Sequence, residues 1–314
     1  MNFNLKKRVT FETFLSGIPA RDYIHQDTPY AKQILDAADM LKAADYVLIG
    51  SGSGMSLAAG AQYGGKAFKT QFAEFRKAYG ENNPYMQDTY SAGFYPFPDE
   101  EAFWGMWSKL ALYGGAELDV TPLHKTVLNM VAGKKHFLLT TNVDHQFEKA
   151  GLPTDKIFAT QGSYNLIQCK RGCHQKTYPA AELFRRMDKA RENACIPTAL
   201  VPKCPVCGGA MAMNLRADSH FVQDEAWYEA ECRFSDFLSE AINKKLVLVE
   251  LGVGFNTPTI IRFPFEKLCR EHDNISLIRL NYDQAMVPQS LGSRVIGIDC
   301  DMAKSITDLA EAMK

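Results

Sequence analysis

The chain reads as an α/β protein whose parallel sheet is wound with helices on both faces and interrupted by one small inserted module. Three observations predict this: short apolar runs ending in small or polar residues, helical periodicity between them, and a stretch where close cysteine pairs replace the alternation. Tyr46-Val47-Leu48-Ile49 opens into Gly50-Ser51-Gly52-Ser53-Gly54, as a buried parallel strand feeding a glycine loop does, and is the expected first strand. His136 to Thr141, Lys245 to Leu251 and Ser276 to Leu280 have the same character, giving four strands with functional ends. Phe68, Phe72, Phe75 and Tyr79 recur at i, i+4, i+7 and i+11, and Phe103, Trp107 and Leu110 repeat the spacing after a Pro98-Asp99 start signal, so both stretches are expected to be helical. Met302 to Met313 predicts an amphipathic C-terminal helix. Between about Ser163 and Ala217 no long apolar strand appears, and the segment is read as the insertion.

Composition bounds the function. With 314 residues, 46% hydrophobic and 23% charged, the chain can bury a core without disulfides and is not a disordered protein. Its 35 basic and 36 acidic residues leave a net charge of −1, so no nucleic-acid partner is predicted. Met1 to Thr10 is too polar for a signal peptide, and charge interrupts every apolar run before ~18 residues; no membrane span is expected, and the cytoplasm is the expected compartment. In that compartment eight cysteines are read first as metal ligands.

Four constellations could carry chemistry. Gly50, Gly52 and Gly54 stand where a strand gives way to a helix, so backbone can approach a phosphate; Leu57 takes the place of the third fingerprint glycine, and a plain tight turn would use the same residues. Thr140-Thr141-Asn142-Val143-Asp144 ends a parallel strand, where ligands sit in open α/β sheets, although Asp144 could equally cap a helix beginning at His145. Cys169 and Cys173, followed by Cys204-Pro-Val-Cys207-Gly208, supply four soft ligands for tetrahedral zinc, with His174 as a competing ligand. Four cysteines leave no open position, so the metal is expected to be structural. Leu251-Gly252-Val253-Gly254-Phe255-Asn256-Thr257-Pro258 is a second glycine loop suited to the other half of a dinucleotide, and Asn281 is placed either to bond a ribose hydroxyl or simply to end its strand. Cys232, Cys269 and Cys300 lack the context of a nucleophile and are expected to pack as small apolar residues.

In order, Gly52-Ser53-Gly54-Met55-Ser56, Thr141-Asn142-Val143-Asp144, Gln161-Gly162, the four cysteines, the Gly252 to Pro258 loop and Leu280-Asn281 resemble the sirtuins along most of the chain. The resemblance implies a Rossmann-like NAD-binding domain over residues 1–162 and 218–314, a zinc module over 163–217, and a helical segment, about 66–115, near the cofactor. It implies that NAD is held by Gly52, Ser53, Gly54, Ser56, Asn142 and Asp144 from the first two motifs; the strand-end placement of the later loop adds Gly252, Gly254, Asn256 and Asn281 as expected contacts. Sirtuin deacylases continue the first motif with Gly-Ile-Pro-x-Phe-Arg; this chain reads Gly60-Ala61-Gln62-Tyr63-Gly64-Gly65, so no arginine is carried over.

Deacylases also have His-Gly where this chain has Gln161-Gly162. A glutamine amide can orient a group but cannot serve as a general base, and losing that base costs deacylation ~10²–10⁴-fold. Gln-Gly, with Leu251-Gly252-Val253-Gly254 and Asn256-Thr257-Pro258, is similar to the macrodomain-linked class M sirtuins of bacteria. That resemblance implies protein ADP-ribosylation with Asn142 and Gln161 as catalytic residues, a lipoyl-bearing relative of the glycine-cleavage H protein as acceptor, and a macrodomain hydrolase acting in reverse. The alternative is a lysine deacylase in which water or His145 replaces the base; a third reading is a silent NAD sensor, against which intact Asn142 and Asp144 argue.

Overall fold

The four expected runs form the centre of a six-stranded, all-parallel sheet in the computed structural model, which describes residues 9–314. The expectation for Met1 to Arg8 lies outside the described residues. Across the sheet the order is Val295–Asp299, Ile275–Asn281, Leu246–Leu251, Tyr46–Ser51, Lys135–Thr140 and Ile157–Ala159. Numbered along the chain this is 6-5-4-1-2-3, the doubly wound order in which strand direction of travel reverses between the first and fourth strands. Tyr46–Ser51 and Leu246–Leu251 are buried at every position, which is why both are largely apolar, with the buried Glu250 the charged exception.

Each face of the sheet has its own core. Helices Tyr30–Lys42, Pro122–Met130 and Met302–Ala312 cover one face through Ile34, Leu41, Val127, Ile306 and Leu309. Phe11–Leu15, Glu225–Ala241 and Arg262–Glu271 cover the other through Phe14, Phe234, Leu238 and Phe265. Each such side chain, buried fully, contributes about 1.5–3 kcal/mol. Among the described residues no helix is long and apolar enough to cross a membrane.

A second sheet of three antiparallel strands, Thr177–Pro179, Gly162–Cys169 and Met211–Leu215, occupies the segment read as an insertion. Its core gathers Phe184, Met187, Met211 and Met213 around Cys169 and Cys204 and includes Trp104 from the helical segment. The expected Phe68 to Tyr79 helix is two helices, Gly65–Gln71 and Ala73–Tyr79, broken at Phe72, whose φ of −113° and ψ of 25° leave the helical range. The break lets Phe68, Phe72 and Phe75 all be fully buried in one aromatic cluster with Met86, Met106 and Leu110. Helix Glu100–Ala111 starts where Pro98-Asp99 signals it: Asp99 Oδ1 accepts the Ala102 N–H at 2.8 Å.

The two glycine loops touch. The Gly54 N–H donates to the Gly252 carbonyl at 3.1 Å, and Gly52 to Leu251 at 3.0 Å. A Cβ on Gly52 would lie 2.8 Å from the Gly252 oxygen, and one on Gly54 2.7 Å from Gly252 Cα. Gly252 itself has a φ of +60°. These glycines therefore serve backbone-to-backbone contact, so a valine at Gly52 would push the two loops apart and disturb the fold as well as any phosphate.

Candidate active site

The reversal between the first and fourth strands opens a crevice at their carboxyl ends, the place where α/β sheets of this order bind ligands. Thr140–Asn142 reaches it from the neighbouring strand. Asn142 Nδ2 donates to the Gly52 carbonyl at 3.0 Å and to Ser56 Oγ at 3.2 Å, while Ser56 Oγ donates to Asp144 Oδ2 at 2.5 Å. Asp144 Oδ1 also accepts the Gln146 N–H at 3.2 Å, so the carboxylate does cap the short helix Gln146–Lys149. Capping and a place in the cluster are both roles of one side chain. Asp144 is buried, and its charge reaches Tyr63 and Tyr164. Burial first, and that charge second, raise both phenols, Tyr164 to about 12, so they stay neutral beside the carboxylate.

The other residues expected at the site are placed as follows. Ser53 begins the helix Ser53–Ala58 and is exposed. Gly254 sits against Gln284, whose Oε1 accepts the Phe255 N–H at 2.9 Å; Asn256 is on the exposed turn beyond. Asn281 is buried with its amide engaged: Nδ2 donates to Val253 O at 3.1 Å and Oδ1 accepts from Tyr282 at 2.9 Å. It both ends its strand and pins the second glycine loop. Gln161 is half-buried, its Nε2 3.3 Å from Thr160 Oγ1, and its carbonyl accepts the Arg216 N–H at 3.1 Å. Gly162 after it has a φ of +93° and a Cβ there would lie 1.9 Å from Asn214 O, so glycine is required.

Below Ser56 a cleft of about 420 Å³ runs between the glycine-loop helix and the Glu117–Thr121 segment, lined also by Tyr113, His124 and Gln146. His124 Nε2 and Gln146 Oε1 are buried without a hydrogen-bond partner, as is Ser51 Oγ at the end of the first strand. Buried polar atoms are ordinarily paired, so these three fit a polar ligand at the crevice. Sequence reasoning did not single out His124 or Gln146; the Thr121-Pro122 start signal places a helix there but not which face is wet.

The four cysteines converge, with all ligand atoms within 4.8 Å of one another. Cys169 and Cys207 sulfurs are 3.8 Å apart and Cys173 and Cys204 3.6 Å, matching the edge of about 3.8 Å that a tetrahedral zinc with 2.3 Å bonds requires. Arg171 draws the Cys207 thiol down to about 6, toward the thiolate a metal binds. His174 turns Nε2 to the Tyr178 hydroxyl at 2.8 Å while its Nδ1 lies 3.1 Å from Cys173 Sγ, so it borders the set of four cysteines without being one of the group.

No family model matches the chain. It is similar to a structure of a Sir2 homologue with NAD, at a TM-score of 0.54 and 14% identity, covering 93% of this chain and 99% of that one. A second structure, solved for the mechanism and regulation of Sir2 enzymes, gives a TM-score of 0.54 at 15% identity over 90% of this chain and 98% of its own. The chain has the sirtuin fold. Among curated proteins it is 29% identical over 265 residues to a protein ADP-ribosyltransferase of Staphylococcus aureus, covering 84% of this chain and 82% of that protein. It is 33% identical over 277 residues to a probable bifunctional ADP-ribose hydrolase/ADP-ribosyltransferase of Fusarium oxysporum f. sp. cubense, and spans 45% of that longer protein.

His124 also sets a stability prediction. Burial holds it down to about 4 from the ordinary 6.5, partly opposed by Asp144. As pH falls from 6.5 the unfolded chain takes up a proton that the native imidazole refuses, so stability is lost on acidification, by roughly 2 kcal/mol at about pH 5. Urea unfolding of His124→Gln at about pH 7.5 and about pH 5 should show that much less acid destabilisation than the unmodified protein; equal losses would contradict it.

Proposed function

We propose that the chain is a cytoplasmic NAD-dependent protein ADP-ribosyltransferase, moving ADP-ribose from NAD to a protein acceptor and releasing nicotinamide. The observation that carries this reading is the hydrogen-bonded Asn142–Ser56–Asp144 cluster at the sheet crevice combined with Gln161, an amide that cannot act as a base. The names of the two curated relatives support it. Asp144 binds the nicotinamide amide and Asn142 the ribose. Gln161 orients the ribose hydroxyls or the acceptor while positive charge develops at the anomeric carbon. Gly52, Ser53, Gly54, Gly252, Gly254, Asn256 and Asn281 line the nucleotide's path, and zinc on Cys169, Cys173, Cys204 and Cys207 is structural. The acceptor is a lipoyl-bearing, glycine-cleavage-H-like carrier protein, and a macrodomain hydrolase reverses the modification; the Fusarium relative's name joins those two activities in one protein.

A mass spectrum of such a carrier incubated with the protein and NAD tests this. One added ADP-ribose is expected, and Gln161→Ala should reduce its formation strongly although no titrating group is lost. If the protein instead frees acetyl groups from acetyl-lysine peptides as fast as it releases nicotinamide, with no mass added to any protein, deacylation replaces transfer as the reading.

A further inference from the structure

Beneath the second glycine loop two glutamates and two arginines are wholly buried: Glu250, Glu266, Arg262 and Arg279 are each 0% exposed. Glu250 and Arg279 stand opposite each other on neighbouring strands and pair through two bonds, at 2.8 and 2.9 Å. Arg279 also donates to one oxygen of Glu266 at 2.8 Å, and the Tyr23 hydroxyl donates to the other at 2.8 Å. Arg262 is held differently. Its Nη1 is 3.6 Å from Glu250, a longer ion pair, and its hydrogen bonds run to loop carbonyls instead. Nη1 donates to Val253 at 2.9 Å, and Nη2 donates to Gln284 at 2.6 Å and to Met286 at 3.2 Å. The guanidinium also lies 4.1 Å from the ring centre of Phe255.

Buried charge is costly, and a buried ion pair replaced by apolar residues of like volume often leaves a protein as stable or more so. What an apolar residue could not do is bind three carbonyls on two loops. The planar fork of Arg262 does so in a fixed geometry, tying the second glycine loop at Val253 and Phe255 to the turn at 284–286. Gly252 is anchored separately, its N–H on the Leu280 carbonyl at 3.0 Å and its own carbonyl on the first loop. Resting on the reading of the crevice as an NAD site, we infer that Arg262 is a positioning residue for the dinucleotide. From inside the core it fixes the second glycine loop and residues 284–286 in the arrangement that receives the half of NAD remote from the nicotinamide. It acts through Gly254, Asn256 and Asn281 and does not touch the cofactor. Loops that spend only about a tenth of their time in the competent arrangement bind about tenfold more weakly. Asn142 and Gln161 follow the strands on the opposite side of Tyr46–Ser51 from Leu246–Leu251, so the loss falls on KM and spares the chemical step.

Calorimetric NAD affinity, with KM and kcat for nicotinamide release by the full chain, tests this. Arg262→Lys keeps the charge without the fork. Arg262→Met combined with Glu266→Gln leaves the cluster balanced at one acid and one base; burial already holds the Glu266 carboxyl above its usual range, although Arg279 opposes it, so this is the acid to neutralise. Both variants should raise KM and the NAD dissociation constant by about tenfold, with kcat within about twofold of the parent. The double variant should unfold in urea at or above the midpoint of Arg262→Met alone, since no surplus charge is left buried. Parental NAD affinity in the double variant would reduce Arg262 to a counter-charge and overturn the proposal, as would a fall in kcat at unchanged KM. A parent protein that does not bind NAD overturns the reading of the crevice and the proposal with it.

Discussion

Asn142→Ala should abolish detectable ADP-ribose transfer while leaving the protein folded. The amide bridges the first glycine loop and the Ser56–Asp144 pair: it donates to Gly52 O and to Ser56 Oγ. On the proposed reading Asn142 holds the ribose at the reacting centre; losing one positioned polar group there typically costs 10²–10³-fold, and the substitution also frees Ser56 and the loop carbonyl to move. The structural cost is smaller, about 1 kcal/mol for each lost hydrogen bond at a half-buried position, so circular dichroism and zinc content should be those of the parent. Nicotinamide release and mass added to the acceptor are the readouts. Full transfer by Asn142→Ala would move the chemistry away from this crevice.

The second large effect concerns the small antiparallel sheet. Metal analysis of a Cys204→Ser, Cys207→Ser variant should show zinc lost together with the order of the segment between Gly162 and Leu215. Zinc in small metal-bound units supplies roughly 10–16 kcal/mol of folding energy, and in this segment the hydrophobic core is packed directly around two of the ligands. Its core is built on two ligands, Cys169 and Cys204, at 0% and 2% exposure, so a serine hydroxyl at Cys204 would sit unpaired among Phe184, Met187 and Met211. Limited proteolysis should cut within the segment while the six-stranded sheet, with separate cores on its two faces, resists. Full zinc occupancy in the double variant would refute the ligand assignment.

The central strands were legible because a strand covered on both faces is apolar over most of its length, Glu250 and Arg279 being buried exceptions. The edge strands were not. Ile157–Ala159 is three residues long, and Val295–Asp299 is interrupted by Gly297, where a Cβ would lie 2.1 Å from the Ala285 carbonyl. Asn142, Asp144 and the glycine loops could be found because such residues mark strand ends. The purpose of the glycines could not, since it depends on contact between two loops remote in sequence. The same holds for His145: its place after Asp144 suggested a helix start, which it is, but the bond to Ser163 arises only when the Tyr164 N–H reaches the Val143 carbonyl, at 3.1 Å, and brings two chain segments side by side.

The strand order has a consequence for how the molecule is made. Tyr46–Ser51 lies at the middle of the sheet, and one of its two neighbours, Leu246–Leu251, is encoded far downstream; Asp45 and Lys245, bonded at their entrance, are 200 residues apart. During synthesis the first glycine loop must therefore wait, apolar strand exposed on one edge, until most of the chain has left the ribosome. The other neighbour, Lys135–Thr140, and the cysteine-bearing segment arrive sooner and can settle first. The floor of the crevice, made where the two loops press together, is thus a late product of folding, and a chain stopped before Leu251 would carry its four clustered cysteines but not its crevice.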